Sequence, residues 1–181
     1  LTGASITFDE RQVLYSSNAT GIFNVYAIPV TGGEPTALTH STTDNDYVVS
    51  AFPGDARVLF TRDAGGNELN HLYVLDAAGG EKDLTPGDSL KAQFIAWTPD
   101  GEAFYLSTNE RDPRFFDIYR MDARSYARSM VYEDTVGLQL GAISPDGRWL
   151  AFEKANGAAD VDIYLWQAGD KAPRCITTHD G

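Results

Sequence analysis

The side chains of this chain that could carry out nucleophilic chemistry are its serines and its three histidines, His40, His71 and His179. A serine nucleophile of this kind needs a histidine base and an orienting carboxylate, and in one large class of α/β enzymes it lies on a Gly-x-Ser-x-Gly turn. The sequence contains no such pentapeptide. The segment around Ser144 has two glycines at the wrong spacing. We therefore predict no catalytic residue in this chain.

Four charged or titratable side chains are candidates for binding rather than catalysis. Arg111 and Arg114 could each pair with a carboxylate of a peptide or of a partner domain, or instead bond to neighbouring carbonyl groups. Glu68 could receive a peptide amine, or it could simply be solvated. His71 opens an apolar run and is either a packed residue, a surface residue or a ligand contact. The sequence leaves these alternatives open.

The segment Asp44-Asn45-Asp46 offers hard oxygen atoms of the kind that bind calcium. A calcium site needs six or more oxygen ligands, and the spacing of a calcium loop with its glycine is missing here. We predict neither a metal site nor a cofactor.

Charge and composition exclude several classes of partner. The chain of 181 residues has 14 basic and 26 acidic residues, for a formal charge of −12. Such a chain is repelled by nucleic acids and by anionic membranes, and no apolar run is long enough to span a bilayer. The single cysteine, Cys175, cannot form an internal disulfide. The compartment stays open, with the cytoplasm favoured over the periplasm.

The elements that position these residues come from a fourfold repeat with a period near 46. Prolines recur at that spacing, and a large apolar residue follows each one seven positions later. Four kinds of residue mark the repeat. Two of them are a tyrosine in an apolar run (Tyr26, Tyr73, Tyr119 and Tyr164) and an apolar residue followed by threonine (38–39, 84–85 and 176–177, with Val131-Tyr132 at the equivalent place in the third repeat). The other two are the proline (Pro53, Pro99 and Pro145) and the large apolar residue (Tyr15, Phe60, Leu106 and Phe152). Repetition at 40–50 residues is typical of propeller blades.

Each repeat reads as four short strands joined by tight turns, which predicts antiparallel hairpins. The second run of each repeat is almost continuously apolar, as expected when both faces of a sheet are covered, and the fourth run is polar, as at an outer edge. We predict an all-β fold, a β-propeller of four four-stranded antiparallel blades at about 3–39, 47–85, 93–132 and 138–177, forming part of a larger propeller. A β-sandwich would have no reason to repeat its sequence.

The repeat also resembles two known groups of proteins. The stretch from Ser144 to Phe152, followed by Asp162-Ile163-Tyr164, is similar to the Pro-Asp repeats of the Tol-Pal propeller and of the prolyl oligopeptidase family of serine peptidases. The segments 65–73 and 109–119 resemble loops and strands of acylaminoacyl-peptidases and dipeptidyl-peptidases in that family.

The peptidase resemblance implies a propeller that caps an α/β-hydrolase domain and limits which peptides reach it. That catalytic domain is absent from residues 1–181, so the implied partners are a hydrolase domain or further blades of one parent protein, with peptides as the parent's substrates. Two alternatives remain: a stand-alone interaction propeller like the Tol-Pal protein, and an enzyme that uses the propeller itself, which would need converging carboxylates that the sequence does not show.

Both ends of the chain lie close to the predicted boundaries of blades. Leu1-Thr2 matches the Leu-Thr pair that closes a blade, and His179-Asp180-Gly181 follows such a pair. We therefore expect a piece of a longer array, whose two exposed apolar blade faces would bind further blades or a second copy of the chain.

The connections after the second and fourth strands are longer than the others, and long loops on a rigid scaffold carry function, so we expect the binding surface there.

Overall fold

The computed structural model describes residues 1–158 and 160–177. The predicted closure at His179-Asp180-Gly181 therefore lies outside the described residues. Within them the chain forms sixteen strands and no helix, and hence no helix that could span a membrane. The all-β prediction is confirmed.

The strands form four sheets of four, each ordered as in the chain and built from antiparallel hairpins, as predicted. The first sheet contains β1 (Thr2–Ile6), β2 (Gln12–Ser17), β3 (Asn24–Pro29) and β4 (Thr36–Ala37), and the second contains β5 (Asp46–Ala51), β6 (Val58–Arg62), β7 (His71–Leu75) and β8 (Glu81–Asp83). The third contains β9 (Ala92–Trp97), β10 (Ala103–Thr108), β11 (Asp117–Asp122) and β12 (Arg128–Tyr132), and the fourth contains β13 (Gln139–Ile143), β14 (Trp149–Ala155), β15 (Val161–Gln167) and β16 (Arg174–Cys175).

Two of the repeat markers turn out to be partners in one cross-strand pair. The large apolar residue of each second strand lies directly opposite the tyrosine of the third strand. The four pairs are Tyr15 with Tyr26, Phe60 with Tyr73, Leu106 with Tyr119, and Phe152 with Tyr164. In the second sheet the two rings stack with their centroids 5.4 Å apart. Facing aromatic and large apolar side chains stabilise a sheet. These two markers therefore recur in the sequence because every sheet contains the same contact between its second and third strands.

The threonine marker has a different role at the outer strand. In three sheets its Oγ1 accepts a hydrogen bond from the backbone N–H of the residue before the repeated tyrosine. The bonds are Val25 N to Thr39 (3.0 Å), Leu72 N to Thr85 (2.9 Å) and Ile163 N to Thr177 (2.7 Å). In the third sheet Tyr132 occupies the position, and the pairing of β11 with β12 shifts register there. The threonine hydroxyl thus takes the place of a backbone carbonyl where the fourth strand ends.

The Pro-Asp-Gly turns are held by their aspartates. Ser144 Oγ donates to Asp146 Oδ1 at 2.7 Å, and Arg148 N donates to the same oxygen at 3.1 Å. These bonds, with the Ser144 bond the largest contribution, lower the pKa of Asp146 to about 2. Gly147 adopts a φ of 69°, and a Cβ at this position would clash with the Tyr105 side chain, so only glycine fits.

The described chain divides into two compact units, one of residues 1–94 and one beginning at residue 95. In the first unit, Leu14 and Val25 of the first sheet pack against Val58 and Phe60 of the second. In the second unit the core joins the third and fourth sheets, and the Tyr132 ring lies between Phe152 and Trp166 with centroids 4.7 and 5.3 Å away. Each unit therefore buries its core between two neighbouring sheets.

Side-chain hydrogen bonds connect the two sheets of the first unit. Strand β5 has a β-bulge between Val48 and Ser50. On either side of that bulge, Val48 N donates to Ser16 Oγ at 2.7 Å and Ala51 N donates to Ser5 Oγ at 2.9 Å. Hydroxyls of the first sheet therefore satisfy amide donors of the second.

One face of the first sheet and one face of the fourth remain partly exposed. The second-sheet residues Val58, Phe60 and Leu75 are buried against the first sheet. Their repeat equivalents in the first sheet (Val13, Tyr15 and Ile28) are only partly buried, and so are Ile163 and Leu165 on the outward face of the fourth sheet. Among the described residues, the apolar positions of these two faces are therefore less buried than their equivalents in the second sheet.

Candidate functional site

The candidate site lies among the long connections that follow the second and fourth strands of the sheets. In the second sheet, residues 63–70 follow β6 and residues 84–91 follow β8, and residues 38–45 lead into β5. Because the strands alternate in direction, these connections all lie at the same end of the strands. They border a pocket of about 400 Å³. The pocket is lined by Asp44, Arg62, Asp63, Ala64, Asn67, Leu69, His71, Tyr73, Asp83, Gly87 and Asp88.

Arg62 lines this pocket and is held by two carboxylates. Its Nε and Nη2 donate to Asp46 at 2.6 and 2.8 Å, and its Nη1 donates to Glu81 at 2.7 Å. The guanidinium also lies over the Tyr73 ring, 5.0 Å from the centroid. The Asp46 hydrogen bonds are the main cause of a raised pKa of Arg62. The positive charge of Arg62 is therefore already balanced by residues that do not line the pocket.

His71 forms a hydrogen-bonded pair with Asp83. Its Nδ1 lies 2.8 Å from Asp83 Oδ2, while Asp83 Oδ1 accepts the backbone N–H of Thr85 at 2.8 Å. The Asp83 carboxylate therefore joins the His71 ring to the backbone N–H of Thr85. Burial, and then the Asp83 charge, raise the pKa of the neighbouring Tyr73.

Glu68 lies in the same loop but does not line the pocket. Its side chain is exposed and has no hydrogen bond or ion pair with any described residue, although its neighbours Asn67 and Leu69 both line the pocket. Its backbone has a φ of 60°, a strained value for a residue with a Cβ. The structure thus brings His71 into the pocket and leaves Glu68 beside it.

The two predicted arginines lie in the second unit, and both pair with aspartates of the chain. Arg111 donates to both carboxylate oxygens of Asp117, at 2.7 and 2.8 Å, and also to the Asp134 carbonyl. Arg114 pairs with Asp112 at 2.7 and 3.0 Å and is 74% exposed. The Arg114 bonds are the main reason why the pKa of Asp112 falls to about 2. The contacts of Arg111 correspond to the intramolecular alternative considered for it, and a ligand role for either arginine stays a prediction.

The acidic lining of the pocket was missed by sequence reasoning. Asp63, Asp83 and Asp88 belong to three segments of the second repeat, and Asp44 comes from the connection before it. No fixed spacing joins them. The only signal was the Asp44-Asn45-Asp46 run, whose members separate: Asp44 lines the pocket and Asp46 is buried beneath Arg62. Among the described residues, no three His, Cys, Asp or Glu side chains are grouped so that they could hold a metal ion.

Repeated four-stranded sheets with long connections on one edge define the class of protein, a β-propeller. No family model matches the chain. A curated relative is dipeptidyl aminopeptidase BIII of Pseudoxanthomonas mexicana, 29% identical over 164 residues. That alignment takes in 86% of this chain and 23% of the peptidase, so the chain spans less than a quarter of its relative.

Solved structures of both predicted groups share the fold. TolB from Acinetobacter baumannii superposes with a TM-score of 0.64 at 21% identity, covering 97% of this chain and 43% of TolB. A chain from a study of two prolyl endopeptidases superposes with a TM-score of 0.70 at 15% identity, covering 97% of this chain and 28% of the endopeptidase. The resemblance of the sequence to peptidase propellers and to Tol-Pal repeats is confirmed.

Proposed function

We propose that this chain is the non-catalytic propeller portion of a serine peptidase, where it contacts a separate hydrolase domain and limits the access of substrates. The observation that carries the proposal is the alignment of 86% of the chain with part of dipeptidyl aminopeptidase BIII. The lack of a Gly-x-Ser-x-Gly turn in the sequence agrees with a role in access and contact rather than bond cleavage.

The long connections at one end of the strands are the part of the chain that would restrict the access of peptides to the hydrolase domain. In the parent peptidase, replacing residues 64–69 by two glycines should open the route to the active site. We expect cleavage of a twenty-residue peptide to rise about threefold or more relative to a dipeptide reporter, because a flexible short reporter needs less clearance. The measurement is kcat/KM for both substrates.

A change in a connection at the opposite end of the strands is the control for that experiment. Replacing Ala77 and Ala78 by glycine alters an exposed connection at the other end of the strands, and the ratio of the two rates should stay constant. The isolated 181-residue chain should hydrolyse neither substrate. Turnover that can be titrated with an active-site serine reagent in the isolated chain would overturn the proposal.

A stand-alone interaction propeller is the second candidate, and the superposition with TolB over 97% of the chain favours it. The two candidates differ in what the coding sequence holds after Gly181. A hydrolase domain with a Gly-x-Ser-x-Gly turn supports the peptidase portion, and a stop codon supports the interaction propeller.

The partly exposed faces of the first and fourth sheets predict self-association of the isolated chain. Covering apolar surface is favourable, and these faces carry the residues that other sheets bury against neighbours. We expect light scattering at micromolar concentration to give a mass above 19.7 kDa. Ile163→Glu on the outward face should reduce that mass, whereas Val30→Glu, at an exposed turn, should not. A monomer at every concentration would contradict this prediction.

A further inference from the structure

We infer that β12, the outer strand of the third sheet, binds an extended acidic peptide segment by β-strand addition. β12 is the last strand of its sheet, so no described strand pairs with its outer side. An open strand edge presents unpaired N–H and C=O groups to which another extended chain can bond. The inference concerns this strand alone and holds whether or not the parent is a peptidase.

β12 lacks the features that protect the other three outer strands. β4 and β16 have two residues each and directly follow Pro35 and Pro173, and β8 consists of three charged residues. Short strands, prolines and charges are the usual means by which an edge avoids pairing with another chain. β12 has five residues and no proline, and its central residues Ser129 and Met130 are uncharged and exposed. Among the four outer strands, β12 is therefore the one suited to pair with a further strand.

The register of the hairpin shows which backbone groups of β12 face outward. Asp122 N donates to Ala127 O at 2.8 Å. In an antiparallel ladder, pairs that share hydrogen bonds alternate with pairs that share none. Along the register Arg128 and Met130 fall at the places without bonds, so their N–H and C=O groups point away from β11. Both lie before the register shift at Val131, in the regular part of the strand.

One face of this edge favours acidic side chains on the added strand. Arg120 of β11 lies directly opposite Ser129, so the two side chains share a face of the sheet. The charge of Arg120 acts on the carboxylates of Asp100 and Asp122, but among the described residues it forms no ion pair. Because Ser129 is small and exposed, the long arginine side chain can reach over it to a carboxylate on the next strand.

The other face of the edge favours apolar side chains. Met130 is 44% exposed and lies opposite Tyr119, on the face away from Ser129. Successive side chains of a strand point to alternate faces of the sheet. The segment that fits this edge therefore alternates acidic and apolar residues.

The hairpin of β11 and β12 is basic although the chain as a whole is acidic. Residues 119–132 contain three arginines and one aspartate, whereas the whole chain has 14 basic and 26 acidic residues. Arg128 is paired with Glu110, but the side chain of Arg124, in the exposed turn, has no partner among the described residues. An acidic segment is attracted to such an edge, whereas a second copy that paired through β12 would bring its own basic hairpin against this one.

Binding is tested on the 181-residue chain with fluorescein-labelled octapeptides that alternate valine with glutamate, lysine or threonine. Fluorescence anisotropy measures the dissociation constants, and hydrogen exchange of the Arg128 and Met130 amides, followed by NMR, measures where the peptide binds. We expect the glutamate peptide to bind about tenfold more tightly than the lysine peptide, and less tightly as salt is added. It should also slow the exchange of both amides.

N-methylation of the glutamate peptide tests the strand pairing itself. Valines that share the face of Met130 lie opposite the outward groups of β12, so their N–H groups donate to it. N-methylation of the valines should therefore abolish binding, whereas N-methylation of the glutamates, whose N–H groups point away, should preserve it.

Met130→Pro removes one outward N–H of β12, and proline is tolerated at an edge strand where the N–H faces solvent. We expect it to weaken binding of the glutamate peptide about tenfold, because main-chain hydrogen bonds provide the affinity of strand addition. Ala37→Pro is the matched control, since Ala37 holds the place of Met130 in the first sheet, opposite the repeated tyrosine. It should leave binding unchanged, and far-ultraviolet circular dichroism checks the folding of both variants.

Arg120→Gln tests the choice of an acidic partner without altering the backbone. It should weaken binding of the glutamate peptide about threefold, as expected for the loss of an exposed ion pair, and leave the threonine peptide unaffected. Arg11→Gln removes the same charge from an exposed turn of the first sheet and should change neither.

Preference for the glutamate peptide together with slower exchange of the two amides supports the inference. It is overturned if the glutamate peptide does not bind at millimolar concentration, if the lysine peptide binds equally well, or if N-methylation of the valines has no effect. A second copy as the occupant would also overturn it: Met130→Pro would then lower the mass of the chain in light scattering and leave peptide binding unchanged.

Discussion

Phe60→Ala is expected to lower the free energy of unfolding by about 4 kcal/mol, the usual cost of removing a fully buried phenylalanine. Phe60 is 0% exposed, packs against the core shared by the first two sheets and stacks on Tyr73. Truncation loses the burial of the ring and leaves a cavity between two sheets that cannot close fully. Urea unfolding followed by far-ultraviolet circular dichroism measures the change, because the three tryptophans lie in the second unit and Phe60 lies in the first.

Tyr15→Ala is the matched control, because Tyr15 holds the same place in the first repeat. Its ring stacks on Tyr26 but is only partly buried. We expect a loss of about 1–2 kcal/mol, in keeping with a side chain that keeps part of its surface in water. Equal losses at the two positions would contradict the view that blade stacking, rather than the pair within one sheet, provides most of the stabilisation.

Asp46→Ala is expected to cost about 3 kcal/mol, because removing one partner of a buried ion pair leaves the other charge uncompensated. Asp46 is 0% exposed and accepts two hydrogen bonds from Arg62. After the substitution Glu81 is the one carboxylate among the described residues that still pairs with Arg62. The same urea unfolding experiment measures the loss.

Asp55→Ala tests whether burial is the reason. Asp55 also pairs with an arginine of the second repeat, Arg57, but it is 46% exposed. Its removal should cost about 1 kcal/mol or less, as is typical of exposed pairs. A double substitution, Asp46→Leu with Arg62→Met, should recover much of the stability lost in Asp46→Ala. Failure of the double variant to exceed the single one would show that the desolvated charge of Arg62 is not the cause.

The repeat could be predicted from the sequence because its markers are contacts that every sheet must make. The large apolar residue and the tyrosine face each other across the second and third strands, so both recur wherever a blade recurs. The threonine recurs because its hydroxyl completes the edge of the third strand. Markers of this kind depend on local strand geometry. Because that geometry is the same in every blade, the markers recur at a constant spacing in the sequence.

The pocket could not be predicted in this way. Its aspartates lie on connections of different lengths, and only folding of the second sheet brings Asp44 near Asp63 and Asp88. The arginine candidates show the same limit. A sequence gives the charge of Arg111, but the structure shows that its hydrogen-bonding groups face Asp117 and the Asp134 carbonyl. Whether a charged side chain is free to bind depends on partners that no spacing encodes.

The β-bulge in β5 has a consequence for how the sheets are coupled. The amides of Val48 and Ala51 belong to the second sheet, yet their acceptors are the hydroxyls of Ser16 and Ser5 in the first. Their shielding from solvent exchange therefore depends on the integrity of a neighbouring repeat as well as on their own. In arrays where each unit touches only its neighbours, cooperativity passes through such interfaces. Here that interface includes directed bonds, so the register of one blade on the next is specified as well as stabilised.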